Sequence, residues 1–177
     1  VQNLLAFARG GSNLRSYVSI NEAVEAVIEL RSYGLRQQSV GLAVSFDSDL
    51  PMTIADPHQM QQVVLNLITN AEQAMSDAGV GDSLLVKTER SGDVIRIVVA
   101  DNGPGIPEEN IERIFDPFFT TKDVGKGTGL GLSICYGIVS EHGGHLRVRN
   151  GSQGGAVFTV ELPIATPLKS GANGATL

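Results

Sequence analysis

A chain of 177 residues is long enough for one core that takes roughly 70% of the unfolded surface out of water. The composition is that of an ordinary globular protein, poor in aromatics and without Trp, and the net charge of −6 argues against a general nucleic-acid or anionic-membrane binder while leaving room for a local phosphate site. The single Cys135 excludes an internal disulfide and fits a reducing compartment, no apolar run approaches the roughly 20 residues of a bilayer span, and no signal-peptide pattern is present.

Val1 to Arg9 has a helical apolar pattern (Leu4, Leu5, Ala8) that Gly10-Gly11-Ser12 breaks. The chain opens without Met inside this pattern, so the expectation is a piece of a longer protein. Ser19 and Glu22 form a capping box before a helix over 20–38, with Ile20, Val24, Val27, Ile28 and Leu35 as its apolar stripe. Val40 to Phe46 alternates like a strand, Asp47 to Pro51 turns, and Met52 to Ala55 is a short strand. Asp56-Pro57-His58-Gln59 starts a second helix, with Asp as N-cap and Pro at the first position. Its apolar spacing runs from Met60 to Met75, and Asp77 to Gly81 ends it.

Ser83–Arg90 and Val94–Ala100 read as a hairpin around Ser91-Gly92-Asp93. A loop-rich stretch covers 101–129, with a short helix near 108–114. A helix over 130–142 is closed by Gly143-Gly144, and His145–Asn150 with Ala156–Leu162 makes a last hairpin. The tail from Thr166 is rich in Gly, Ala and Ser and is expected to be disordered. Helices and hairpins in this order predict an α/β fold: a two-layer sandwich whose mixed sheet is covered on one face by helices.

Three segments carry chemistry. On the long helix, Gln62, Asn66, Asn70 and Gln73 are spaced four, four and three apart, a row of neutral amides where an exposed face ordinarily carries charge. Amide oxygens suit Mg²⁺, which takes further oxygens from water and phosphates; taken alone, the row is equally well a solvated face. Asp101 ends a strand of strong β-formers and precedes Asn102-Gly103-Pro104-Gly105. A buried carboxylate there accepts a hydrogen bond from an adenine amino group and faces a carbonyl oxygen if the base is guanine, a mismatch worth about 1–3 kcal/mol. The plainer reading is an Asx turn. Gly125, Gly127, Gly129 and Gly131 alternate ahead of a helix whose N-terminal N–H groups suit a phosphate, with Lys122 and Lys126 nearby. A Walker A loop is excluded because Gly127 follows Lys126, and no G-x-G-x-x-G occurs. Between the loops, Phe115, Phe118 and Phe119 are half of the chain's six Phe and would pin a lid over about 107–129 to the body.

With those parts in order, the chain resembles the catalytic ATP-binding domain of bacterial sensor histidine kinases, within the gyrase–chaperone–kinase–mismatch-repair ATPase (Bergerat) fold. Asn66 to Ala71 resembles the N box, Asp101 to Gly105 the G1 box, Ile114 to Lys122 the F box, Gly125 to Gly131 the G2 box and Gly154 to Phe158 the final glycine motif. The resemblance covers 20–163, and Asn-Ala-Glu-Gln-Ala-Met is similar to the nitrogen-regulation branch. It implies a domain over 20–165, preceded in 1–19 by the end of a dimerisation and phosphoacceptor helix with its linker and followed by a flexible tail, 166–177.

The resemblance implies ATP and Mg²⁺ as cofactors. Asn70 would be the metal ligand, Asn66 would support the phosphates, and Asp101, with Gly103, Gly105 and Ile106, would hold the adenine. Lys122, Lys126, Gly127, Thr128, Gly129, Leu130, Gly131 and Leu132 would face the triphosphate. Asn66, Lys122 and Lys126 are the implied catalytic residues. Implied partners are the phosphoacceptor histidine domain of the same or a partner subunit and a response regulator, in a homodimeric parent of cytoplasmic location whose membrane anchoring stays open; this piece is expected to touch neither membrane nor nucleic acid.

Two departures stand out. Ala156 replaces a common Thr, and none of His58, His142 and His145 lies in a phosphoacceptor box, so all three are expected to be structural. Water-splitting ATPases of this fold place a Glu where this chain has Asn66, so slow hydrolysis is expected, and a chaperone or mismatch-repair ATPase is disfavoured. The alternatives are a serine kinase of the anti-sigma-factor type and a nucleotide-sensing module without transferase activity.

Overall fold

The structure is a computed structural model, and it describes residues 15–121 and 128–165. The expectations for Val1–Arg9, for the tail, and for Lys122, Gly125, Lys126 and Gly127 lie outside the described residues. The elements run β1 (Ser16–Val18), α1 (Ile20–Gln37), β2 (Gly41–Ser45), β3 (Thr53–Ala55), α2 (Pro57–Ala78), β4 (Ser83–Ser91), β5 (Val94–Asp101), α3 (Glu108–Ile111), α4 (Gly131–Glu141), β6 (His145–Asn150) and β7 (Ala156–Pro163).

Five strands form one mixed sheet in the order β2-β4-β5-β7-β6. The pairings are antiparallel except β2 with β4, which runs parallel because α2 lies between them in the chain. Period-two alternation puts Leu84, Val86, Ile95, Ile97, Val99, Phe158, Val160 and Leu162 on one face, all buried. That face meets α1, α2 and α4, with α2 in the middle. The opposite face is mixed and partly exposed: Leu85, Val98, Ala100 and Val157 share it with ion pairs, Glu161 accepting from Arg96 at 2.8 Å and Lys87 beside Glu89. This is the two-layer sandwich the sequence predicts.

The helix ends follow their sequence signals. Asp56 caps α2 by accepting from the backbone N–H of His58 and Gln59 at 2.9 and 3.2 Å, and Gly79 closes it in the left-handed region at φ 61°. Ser19 accepts from the Glu22 N–H at the start of α1. His142, at the end of α4, is buried, donates from Nδ1 to the Ile138 carbonyl at 2.8 Å and accepts at Nε2 from the Asp56 N–H at 3.0 Å. It ties the end of α4 to the start of α2, the structural role expected of it.

Two features lack a sequence signal. Ser16–Val18 pairs with β3 as a small separate ribbon, because Thr53–Ala55 offers it an edge. Glu72 sits on the buried side of α2, where its carboxylate takes a charged hydrogen bond from Arg31 of α1.

Candidate functional site

The alternation that buries Ile95, Ile97 and Val99 continues to Asp101, which therefore faces the helical layer at the end of the sheet and is only 9% exposed. Its Oδ1 accepts two backbone hydrogen bonds, from Gly103 at 2.9 Å and from Ala156 at 3.2 Å. Those bonds fix the carboxyl plane, and Oδ2 takes no bond from a described residue. Gly155 makes the approach possible: at φ 76°, a Cβ there would lie 1.8 Å from the Asp101 carbonyl oxygen. Gly103 is also confined, though less severely, with Met75 of α2 and Asp101 Oδ1 each 3.0 Å from a hypothetical Cβ. Ala156 contributes its N–H to this site, a contact that needs no side chain.

Asn66 and Asn70 lie one turn apart on α2, both half-buried. Asn66 Nδ2 donates to the carbonyl oxygen of Gly131, the first residue of α4, at 3.4 Å. The Asn70 carboxamide forms no hydrogen bond among the described residues. Cys135 packs behind Asn66; it is fully buried, points its thiol at the Val63 carbonyl at 3.7 Å, and burial pushes its pKa up to about 12. α4 begins at Gly131 with no side-chain cap on its first turn; Leu130 donates to Thr128 Oγ1 at 3.4 Å, and Gly129 turns at φ 65°. Asp101 thus leaves one carboxylate oxygen without a described partner, and α2 with α4 offers two amides and a helix start without a side-chain cap.

Residues 55–166 match the family model of histidine kinase-, DNA gyrase B- and HSP90-like ATPases. The chain belongs to that ATPase family. Among its relatives, the sensor protein FixL of Bradyrhizobium diazoefficiens is 34% identical over 93% of this chain and 32% of its own length. The sensor histidine kinase ZraS of Escherichia coli K12 is 37% identical over 83% and 30%. The chain therefore spans about a third of the length of the curated relatives it matches. The solved catalytic domain of the histidine kinase ThkA is 35% identical, superposes with a TM-score of 0.75 and is covered over 99% of its length by 86% of this chain. ThkA in complex with the response regulator TrrA matches at 30% identity and a TM-score of 0.75, over 93% of this chain and 46% of that one. The chain is thus a catalytic ATP-binding domain of the sensor histidine kinase kind, and neither the anti-sigma-factor-type serine kinase nor the nucleotide-sensing module is favoured.

Within this kinase domain, the segment between the loops departs from expectation at one residue. Phe115 stacks on Tyr136 of α4 with ring centres 5.5 Å apart, and Phe119 lies against the core under the Arg113 guanidinium, 4.7 Å from its ring centre. Phe118 does not join them. It is 74% exposed at φ 66°, because its backbone N–H is committed to the Gly129 carbonyl at 2.9 Å. Two aromatics anchor the segment, and the third faces out. A cleft of about 440 Å³ lies along Arg113, Asp116–Phe119 and Thr120, and neither Asn70 nor Asp101 lines it.

Two supporting residues had no signal in the sequence. Asn102 accepts at Oδ1 from the N–H groups of Asp82 and Ser83 at 2.9 and 2.8 Å, tying the G1 loop to the turn after α2. Asn150, from the far edge of the sheet, bonds both backbone groups of Ile106. An asparagine in a loop or at a strand end looks the same in sequence whatever it bonds, so only the fold reveals either role.

Proposed function

We propose that this domain delivers the γ-phosphate of ATP to a histidine on a dimerisation domain outside residues 20–165, as the catalytic part of a sensor histidine kinase whose response regulator then receives the phosphate. Asp101 Oδ2 accepts from the adenine amino group, and Gly103, Gly105 and Ile106 form the walls around the base. The phosphates lie against the first turn of α4, with Thr128, Gly129, Leu130, Gly131 and Leu132 around them. Among the described residues, no cluster of three or more His, Cys, Asp or Glu exists to hold a metal. The hard oxygen of Asn70 fits Mg²⁺, with phosphate oxygens and water completing the ligands. The ion would neutralise charge gathering on the phosphoryl group in flight. Lys122, Lys126 and Gly127 act at the same triphosphate in this reading, on the strength of the motif resemblance.

The observation that carries the transferase reading is the amide at position 66. It is turned toward Gly131 at the head of α4. An amide cannot take a proton from water, and a general base typically contributes about 10²–10⁴ in rate. ATP therefore persists until an acceptor imidazole arrives, and catalysis is positioning and electrostatic. The test is incubation of the protein with Mg·ATP labelled at the γ-phosphate and an added phosphoacceptor hairpin. The expected product is acid-labile, alkali-stable phosphate on the hairpin, with little free phosphate. Brisk hydrolysis without transfer refutes the reading. The parent is proposed to be a homodimer with this domain on the cytoplasmic side; no described helix is long and apolar enough to cross a membrane.

A further inference from the structure

Ile106 follows the G1 loop, and it is held as a strand residue would be. Asn150 Oδ1 accepts from the Ile106 N–H at 2.8 Å, and Asn150 Nδ2 donates to the Ile106 carbonyl at 2.7 Å. One carboxamide thus replaces the paired peptide group of a neighbouring strand. The same residue ends β6 opposite Ala156, whose N–H donates to Asp101 Oδ1. The next residue, Gly151, donates to the Gly155 carbonyl at 2.9 Å. Gly105 leaves room for the clasp: it turns at φ 77°, and a Cβ there would meet Asn150 Oδ1 at 3.0 Å and the Gly155 carbonyl at 3.3 Å. The two sides of the base pocket, Asp101 and Gly105–Ile106, are therefore referred to one short piece of β6 and the start of β7.

We infer that Asn150 is a positioning residue for nucleotide binding, clasping the Ile106 backbone so that the Gly103–Ile106 loop is already set when the base arrives. This rests on reading Asp101 to Ile106 as the base pocket. Asn150 is exposed and its side chain hydrogen-bonds only the Ile106 backbone among the described residues, so its effect belongs to the loop more than to global stability.

The test compares the wild-type domain with Asn150→Ala and Asn150→Asp. The aspartate keeps an acceptor for the Ile106 N–H but sets a second oxygen against the Ile106 carbonyl. Three quantities are measured: hydrogen exchange at the Ile106 amide, the Kd for Mg·ATP well below the melting temperature, and the melting temperature itself. In both variants Mg·ATP should bind about tenfold more weakly, the scale of one or two lost solvent-accessible hydrogen bonds. Ile106 exchange should quicken by a similar factor in Asn150→Ala, while the melting temperature stays within a few degrees of wild type. An ATP affinity within twofold of wild type in Asn150→Ala overturns the inference, as does unchanged exchange at Ile106. A wild-type domain that fails to bind Mg·ATP overturns the nucleotide reading itself, a result distinct from a variant that binds as tightly as its parent.

Discussion

Replacing Asp101 by Asn should exchange the base that this pocket prefers. Two backbone N–H groups, from Gly103 and Ala156, converge on Oδ1. In Asp101→Asn the amide must keep its oxygen there, because the flipped rotamer would set an NH₂ against both donors. The new NH₂ therefore occupies the position of Oδ2, where the adenine amino group would otherwise find its acceptor. Losing a hydrogen bond to a charged acceptor costs about 1.5–3 kcal/mol, and two donors now face each other. Mg·ATP should bind roughly 10–100-fold more weakly, since each 1.4 kcal/mol is tenfold. Guanine presents a carbonyl oxygen at the same place, so Mg·GTP should gain. The inward bonds survive in neutral form, so the fold should lose only about 1–2 kcal/mol. Isothermal titration of both nucleotides into wild type and variant, with circular-dichroism melts alongside, measures all of this. ATP affinity within threefold of wild type, or no change in the GTP-to-ATP ratio, refutes the geometry assigned to Asp101.

Breaking the buried pair by Arg31→Ala should destabilise the domain by roughly 3 kcal/mol, the low end for such pairs because Arg31 is about a third exposed, while Arg31→Met with Glu72→Leu should recover most of the loss in urea melts. His142→Phe keeps the ring's bulk but leaves the Asp56 N–H without its acceptor, so a loss of about 1–3 kcal/mol is expected, and an unchanged urea midpoint rejects the staple between α4 and α2. Cys135 should resist thiol reagents until the protein unfolds. Its folded pKa is raised from 9.0 to about 12, so its contribution is complete below pH 9 and is lost as pH climbs toward 12, by up to about 1.4 kcal/mol per unit. The difference in stability between wild type and Cys135→Ala should carry that slope, and a flat difference contradicts the burial argument.

What could be read in the chain beforehand has a physical pattern. Asp56-Pro57, Ser19, and the alternation from Ile95 to Val99 act within a few residues of themselves, so local chemistry reported α2, α1 and β5 correctly. The burial of Asp101 was legible because strand parity alone carries it to the buried face. Glu72, Asn102 and Asn150 were not legible, since each is defined by a partner 19 to 44 residues away in the chain. Phe118 was misread as an anchor because aromatic clustering says nothing about a backbone clasped to Gly129 at positive φ. Ser16–Val18 needed an edge that only the folded ribbon supplies.

The bare first turn of α4 has one more implication. Natural helices commonly satisfy their leading N–H groups with a Ser, Thr, Asp or Asn, a saving of about 1 kcal/mol that α4 forgoes. Nucleotide phosphate would serve as the borrowed terminus, stiffening this end of the helix on arrival and slackening it when the terminal phosphoryl departs. Order at residues 129–133 should then rise and fall with each catalytic cycle, reporting from inside the molecule whether the nucleotide is spent.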